Sequence, residues 1–156
     1  MDDLSLFLPD AAATDALGRT LSERLAPGDT VLLTGELGAG KSHLARAVIQ
    51  TRMARHGGVE DVPSPTYTLV QTYRIGEIEM IHADLYRLGD PSELVELGLD
   101  EAISGPAICL IEWPDRLDHA PADALRITLL PEGDGRRATL DGPRRLTDGI
   151  KALTHA

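Results

Sequence analysis

The chain has 156 residues, 42% of them apolar and 26% charged, a balance that fits one globular domain with a real core and excludes a disordered or low-complexity protein. A formal net charge of −10 excludes a protein that grips nucleic acid through a broad basic face of its own. No apolar run approaches the length of a membrane span, the start Met1-Asp2-Asp3-Leu4 is too acidic for a secretory signal, and the single Cys109 sits in an apolar run as a reduced core thiol, so the expected compartment is the cytoplasm.

In chain order, Leu4–Leu8 alternates weakly and reads as a first strand ended by Pro9. Thr14 is the expected cap of a helix running to about Leu25, with Leu17, Leu21 and Leu25 as its apolar stripe. Pro27-Gly28-Asp29 turns into a buried strand, Thr30–Thr34. A helix follows from Lys41 and ends near His56-Gly57-Gly58. Beyond the proline-rich stretch Pro63-Ser64-Pro65-Thr66, Tyr67–Tyr73 reads as a strand, Gly76 as a turn and Glu79–Ala83 as the hairpin partner. Asp90, Pro91 and Glu93 have the spacing of a helix start with a reciprocal cap. Ala107–Glu112 is a continuous apolar strand closed by an acid. Ala124–Leu130 and Arg136–Leu140 read as a hairpin around Glu132-Gly133-Asp134-Gly135, and a short helix closes the chain. The sum is an α/β fold: a single small domain over 1–156, with a mixed β-sheet flanked by helices, because the hairpin near Gly76 interrupts a purely parallel pattern.

The chemistry concentrates between the second strand and its helix. Gly35-Glu36-Leu37-Gly38-Ala39-Gly40-Lys41-Ser42 matches G-x-x-x-x-G-K-[ST], the phosphate-binding loop of nucleoside triphosphatases. Its glycines allow the backbone N–H groups to form an anion nest, and the helix N-terminus adds further donors and the positive end of its dipole. In such a loop Lys41 reaches the β- and γ-phosphates and Ser42 supplies a hydroxyl to Mg²⁺, while Glu36, Leu37 and Ala39 occupy permissive positions. The ligands expected are therefore ATP and Mg²⁺.

A second acidic group is required to complete the metal shell or to orient water. Glu112 is the first candidate, at the C-terminal end of its strand, where ligands collect in sheets of this type; the competing reading is a solvated edge carboxylate. Asp84, ending the preceding strand, reads equally as a group near the γ-phosphate or as a turn cap. Thr66 lies in a proline-bracketed loop after the phosphate-loop helix, where a nucleotide-sensing switch would lie, although such loops are also common and idle. Trp113 reads as a core anchor or an interface residue, His82 as a satisfied histidine, and the cluster Arg136, Arg137, Arg144, Arg145 as a solvated hairpin face.

Four motifs then stand in one order: the loop 35–42, Ser64-Pro65-Thr66-Tyr67-Thr68-Leu69-Val70, His82-Ala83-Asp84-Leu85-Tyr86-Arg87-Leu88, and Ile111-Glu112-Trp113-Pro114. Together they resemble the TsaE (YjeE) family of bacterial ATPases, over about Thr14–Pro114. The resemblance implies a small P-loop domain in the machinery that installs threonylcarbamoyladenosine in tRNA, with TsaD and TsaB as partners. It implies that Lys41 contacts the phosphates, that Ser42 and Glu112 hold Mg²⁺, and that Thr66 belongs to a switch-like loop. It also implies that Asp84 is essential near the γ-phosphate and that Trp113 is close to the site. No direct tRNA binding by the isolated chain is expected. One departure is Ser42-His43, where the family carries hydroxyl residues: Ser42 keeps the metal hydroxyl, and His43 keeps only its backbone N–H for the α-phosphate. Two other uses of the loop compete, a small-molecule kinase and an assembly subunit with little hydrolysis. Against the kinase, Arg74, Arg87 and Arg116 are scattered and form no arginine-rich lid.

Overall fold

A computed structural model describes residues 2–65, 68–90, 92–117 and 119–155. Among the described residues, seven strands form one sheet: β1 (Asp2–Leu8), β2 (Thr30–Thr34), β3 (Val70–Ile75), β4 (Ile78–Asp84), β5 (Ile108–Glu112), β6 (Leu125–Glu132) and β7 (Gly135–Gly142), in the order β1-β7-β6-β2-β5-β4-β3. The inner strands β6, β2, β5 and β4 run parallel, and antiparallel pairings of β7 with β6 and β1, and of β3 with β4, close the two sides. The helices are α1 (Ala11–Arg24), α2 (Lys41–Arg55), α3 (Ser92–Glu96), α4 (Leu99–Ser104) and α5 (Arg144–Lys151). The mixed α/β architecture expected from the sequence is therefore observed.

The central strands are apolar throughout because both faces are covered. Val31 and Leu33 of β2, with Ile108 and Leu110 of β5, pack with Leu17 and Leu21 of α1, Leu44 and Val48 of α2 and Ile150 of α5. Leu32, Cys109 and Ile111 turn to the other face and pack with Leu94 of α3 and Leu99 of α4. Burying a leucine or isoleucine side chain is worth roughly 1.5–3 kcal/mol relative to exposure, so the sheet is held firmly from both sides. Arg52 of α2 joins the helices on the first face, donating to the carbonyls of Ser22 (2.8 Å) and Leu25 (2.9 Å) at the end of α1.

Several boundaries depart from the sequence reading. Asp10, not Thr14, caps α1: its carboxylate accepts from the Ala13 N–H at 2.9 Å, and Thr14 is a buried residue of the first turn. The leucine stripe begins only at Leu17 and so hides the turn before it. β3 starts at Val70 because Leu69 takes a left-handed conformation (φ 68°), which ends the extended run that Tyr67–Tyr73 suggests. Thr66 and Tyr67 themselves lie outside the described residues. The reciprocal cap before α3 is present, with Asp90 accepting from the Ser92 N–H and Glu93 accepting from the N–H groups of Gly89 and Asp90; Pro91 lies outside the described residues. Among the described residues no helix is long and apolar enough to cross a membrane.

Parallel strands end at the same edge. Glu112 of β5 pairs in register with Leu33 of β2 and with Asp84 of β4, so the end of β2 and both acids meet at one place.

Cys109 is fully buried, and burial, followed by the nearby Glu79 charge, pushes its thiol up to about 12. A maleimide reagent at pH 8 should leave the native protein unlabelled for hours and label it at once in denaturant. Rapid stoichiometric labelling of the native chain would show that the face packed against α3 and α4 opens easily.

Candidate functional site

The Gly35–Ser42 loop leaves the end of β2 and closes at the N-terminus of α2. Two glycines set its path. A Cβ on Gly35 would lie 2.7 Å from the Leu129 carbonyl oxygen, so only glycine allows the loop this close to β6. Gly40, the residue before α2, has φ 103°, a conformation strained for any side chain. Lys41 and Ser42 follow as the first residues of α2, with their side chains at the edge where β4 and β5 end.

Lys41 is buried, donates to the Gly35 carbonyl and sits 3.6 Å above the Trp113 ring centroid. Burial holds its ammonium below the usual lysine range, against the opposing pull of Glu112, Asp84 and Asp115. Trp113 reaches it because the chain turns sharply after β5: Trp113 is left-handed (φ 59°), its N–H donates to the Leu33 carbonyl, and its indole meets Tyr86 at 4.9 Å. Trp113 is therefore half-buried at the site, and its ring is a partner for the lysine.

Glu112 is not an edge carboxylate facing solvent. It is 2% exposed, and Ser42 Oγ lies 2.9 Å from each of its oxygens. His82 of β4, fully buried, stands with Nε2 2.6 Å from Glu112 Oε2. A carboxylate accepts, so Nε2 carries the hydrogen, and Nδ1 is buried without a hydrogen-bond partner among the described residues. Asp84 lies beside Glu112 on the next strand, and its Oδ1 accepts from the Tyr86 N–H at 3.1 Å. Asp84 thus caps the turn after β4, and it lines the same cavity as Lys41 and Ser42. Ser64, 3.3 Å from Ser42 Oγ, brings in the proline-bracketed loop, while Thr66 lies outside the described residues.

A cavity of about 290 Å³ joins these groups, lined by Leu37, Gly38, Gly40, Lys41, Ser42, His43, Ser64, Asp84, Glu112 and Trp113. Glu36 lies on the exposed outer side of the loop, and Ala39 is buried behind it. His43 turns toward α1, with Nε2 2.8 Å from Asp15 Oδ1, so its imidazole is engaged away from Ser42. A larger cavity of about 640 Å³ lies between the β3–β4 hairpin and α4, lined by Thr72, Arg74, Glu79 and Leu99 among others, but no sequence-predicted site residue lines it. The smaller cavity is the candidate site because the cation, the hydroxyl and both carboxylates converge there.

The donor set fits a hard divalent cation. A hydroxyl and a carboxylate oxygen share one point, and Mg²⁺ takes one or two protein oxygens with the remainder from phosphate and water. Among the described residues no group of three or more His, Cys, Asp or Glu is placed to hold a metal.

Two residues at or behind the site carry more than their sequence context indicates. His82, expected as a satisfied histidine, is satisfied at Nε2 alone, by the site carboxylate itself, and Nδ1 is left without a partner among the described residues. Arg136, expected on a solvated hairpin face, instead turns inward and donates to the carbonyls of Gly38 and Ala39 in the loop. Within the same cluster Arg145 pairs with Asp29, and Arg137 pairs with Glu132 at 2.7 Å.

A solved structure titled as Bacillus subtilis YdiB superposes with a TM-score of 0.73, covering 99% of this chain and 95% of that one at 24% identity, a likeness of fold. Over 114 residues the chain is 40% identical to a tRNA threonylcarbamoyladenosine biosynthesis protein TsaE of Rickettsia felis, covering 73% of this chain and 64% of that protein, slightly under two thirds of the relative's length. Over 136 residues it is 36% identical to the protein of the same name from Nostoc, covering 85% of this chain and 81% of the relative. Residues 8–139 match the family described as threonylcarbamoyl adenosine biosynthesis protein TsaE, and the chain belongs to that family.

Proposed function

We propose that the chain binds ATP with Mg²⁺ in the 290 Å³ cavity and hydrolyses it slowly, as the ATPase subunit of the bacterial machinery that makes threonylcarbamoyladenosine in tRNA, acting with TsaD and TsaB. The observation that carries this reading is the meeting of Lys41, Ser42, Glu112 and Asp84 on one cavity at the N-terminus of α2. Free amides of the loop and of the first turn of α2 supply the anion site. Lys41, already desolvated and close to the cavity, would exchange its Gly35 carbonyl for phosphate oxygens. Ser42 and Glu112 would hold Mg²⁺, which when bound neutralises charge on the β- and γ-phosphate oxygens. Asp84, at the end of β4, would accept a hydrogen bond from the attacking water, whose oxygen forms the new bond to the γ-phosphorus as the bond to the bridging oxygen breaks, giving ADP, inorganic phosphate and a proton released to solvent. An adjoining cavity of about 220 Å³, lined by Leu8, Pro9, Thr14 and His43, offers room for the nucleoside.

The kinase reading finds no support at the cavity, since no arginine lines it among the described residues. Arg116 donates to the Leu88 carbonyl, and Arg74 lines the distant cavity. The same lack of a second cation argues that the isolated subunit is slow and that its partners provide what speeds it, because an added arginine can raise phosphoryl transfer by about 10³–10⁵. A net charge of −10 argues that tRNA is reached through those partners rather than directly.

Charge-assisted contacts of the Lys41 kind are worth about 1.5–3 kcal/mol each, so Lys41→Ala should weaken ATP binding about tenfold or more. Calorimetric titration checks it, and an unchanged affinity would sink the nucleotide reading. Glu112→Gln should lower the hydrolysis rate by a larger factor than it lowers affinity, because the nucleotide can still bring the metal with it. Full activity of that variant, assayed with partners present, would remove Glu112 from the reaction. TsaD and TsaB together should raise hydrolysis, and Asp84→Ala should abolish the gain with the far-ultraviolet circular dichroism unchanged. Mass spectrometry of tRNA nucleosides from a deletion strain should show the modification lost unless a bypass exists, and a wild-type level would overturn the assigned pathway.

A further inference from the structure

Arg136 stands at the start of β7, in register with Leu8 of β1 and Pro131 of β6, far in sequence from the loop it touches. Three of its five N–H donors go to backbone carbonyls. Nε donates to Ala39 O, Nη2 to Gly38 O and Nη1 to Gly135 O, each at 3.0 Å. Two successive carbonyls of the Gly35–Ser42 loop are therefore held by one planar cation reaching from β7.

We propose that Arg136 is a positioning residue for the phosphate site: it fixes two peptide planes of the loop, one whose Ala39 N–H is bonded to the Glu36 carbonyl and one whose Gly40 N–H is thereby aimed at the anion. In a planar trans peptide the C=O and the following N–H point in opposite directions. Holding the Ala39 carbonyl outward on Arg136 thus aims the Gly40 N–H inward. Left alone, this stretch is soft, because Gly38 (φ 82°) and Gly40 (φ 103°) allow their peptides to rotate. A rotated peptide would present a carbonyl oxygen to phosphate and turn attraction into repulsion. Breaking charge-assisted bonds opposes that rotation. The fork matters, since a lysine is a point charge on a flexible stem and does not hold two carbonyls in one plane. Arg136 is absent from the lining of the 290 Å³ cavity, where Lys41, Ser42, Asp84 and Glu112 meet, but it lines the adjoining 220 Å³ cavity beside Ala39 and Gly40, so it acts on the loop amides next to the nucleoside space and not on the reacting groups.

This role rests on the nucleotide reading, and the test separates the two. Arg136→Met, Arg136→Lys and Lys41→Ala are titrated with ADP and with ATP, each with and without Mg²⁺, and the thermal midpoint of each nucleotide-free protein is recorded. Arg136→Met should weaken both nucleotides about tenfold, with or without the metal, at a temperature where the variant is folded. Arg136→Lys should recover part of the loss. In the partner-stimulated assay KM should rise while kcat at saturation changes little. A latch of structural importance alone would lower the midpoint and leave affinity in the folded protein unchanged, and that result overturns the proposal. If Arg136→Met does not fold, Arg136→Gln is titrated in its place against the same two outcomes. Unchanged affinity in the Arg136 variant with weakened binding in Lys41→Ala overturns the positioning role alone; unchanged affinity in both overturns the nucleotide reading beneath it.

Discussion

The contact between Ser42, Glu112 and His82 joins the parts of the molecule that must meet. Ser42 belongs to the first turn of α2, Glu112 to the end of β5 and His82 to β4. A carboxylate 2% exposed is costly to desolvate, and a hydroxyl on one side and an imidazole on the other return the hydrogen bonds it loses to water. The three groups are mutually dependent. Without the histidine the buried carboxylate keeps one partner; without the serine the start of α2 is no longer tied to the sheet edge. Since β2 and β5 are adjacent and parallel, this tie also fixes how far the loop following β2 can stand from the sheet.

Around that tie the arrangement follows from the parallel register. Leu33, Glu112 and Asp84 lie side by side across three strands, so the chain needs no long-range device to bring its two acids together. What it does need is a sharp exit from each strand. Gly35 makes the first by close approach to Leu129, and Trp113 makes the second in a left-handed conformation that is uncommon for a bulky residue. The second exit carries a return: the indole lands over Lys41, where it receives an ammonium that burial alone would disfavour.

Much of this was legible in the residues. The loop is written locally, in one stretch of sequence between an apolar strand and a helix, and Glu112 follows from an apolar run ended by an acid. Short-range features suffice for both. The missed features depend on contacts at distance or on single backbone angles. Asp10 caps α1 because its carboxylate meets the Ala13 N–H, while the visible leucine periodicity starts a turn later. Leu69 ends an extended run through one left-handed angle that its side chain does not announce. Arg136 touches carbonyls nearly a hundred positions away, and its four-arginine context resembles an ordinary solvated hairpin. His82 reads as satisfied, yet only Nε2 has a partner, which lies on another strand, and only the pairing of β4 with β5 reveals which carboxylate it is.

The charge balance at the cavity limits what the proposed reaction can ask of this chain alone. One buried ammonium stands among the carboxylates of Glu112, Asp84 and Asp115. An incoming triphosphate would meet those anions as well as Lys41, so binding through side-chain charge alone is close to self-defeating. Two features change the balance. Backbone amides carry no net charge and are not cancelled by neighbouring acids, which makes their orientation, and hence the hold of Arg136 on the loop carbonyls, more important here than in a site rich in cations. A divalent cation travelling with the nucleotide converts the same carboxylates from repulsive groups into ligands. Under this reading the metal turns the acids from groups that repel the triphosphate into groups that help hold it, and among the described residues no arginine and no second lysine lines the cavity for the charge that builds up as the γ-phosphoryl leaves. A protein of net charge −10 presents a surface suited to a basic partner, and such a partner is also the natural source of that missing charge.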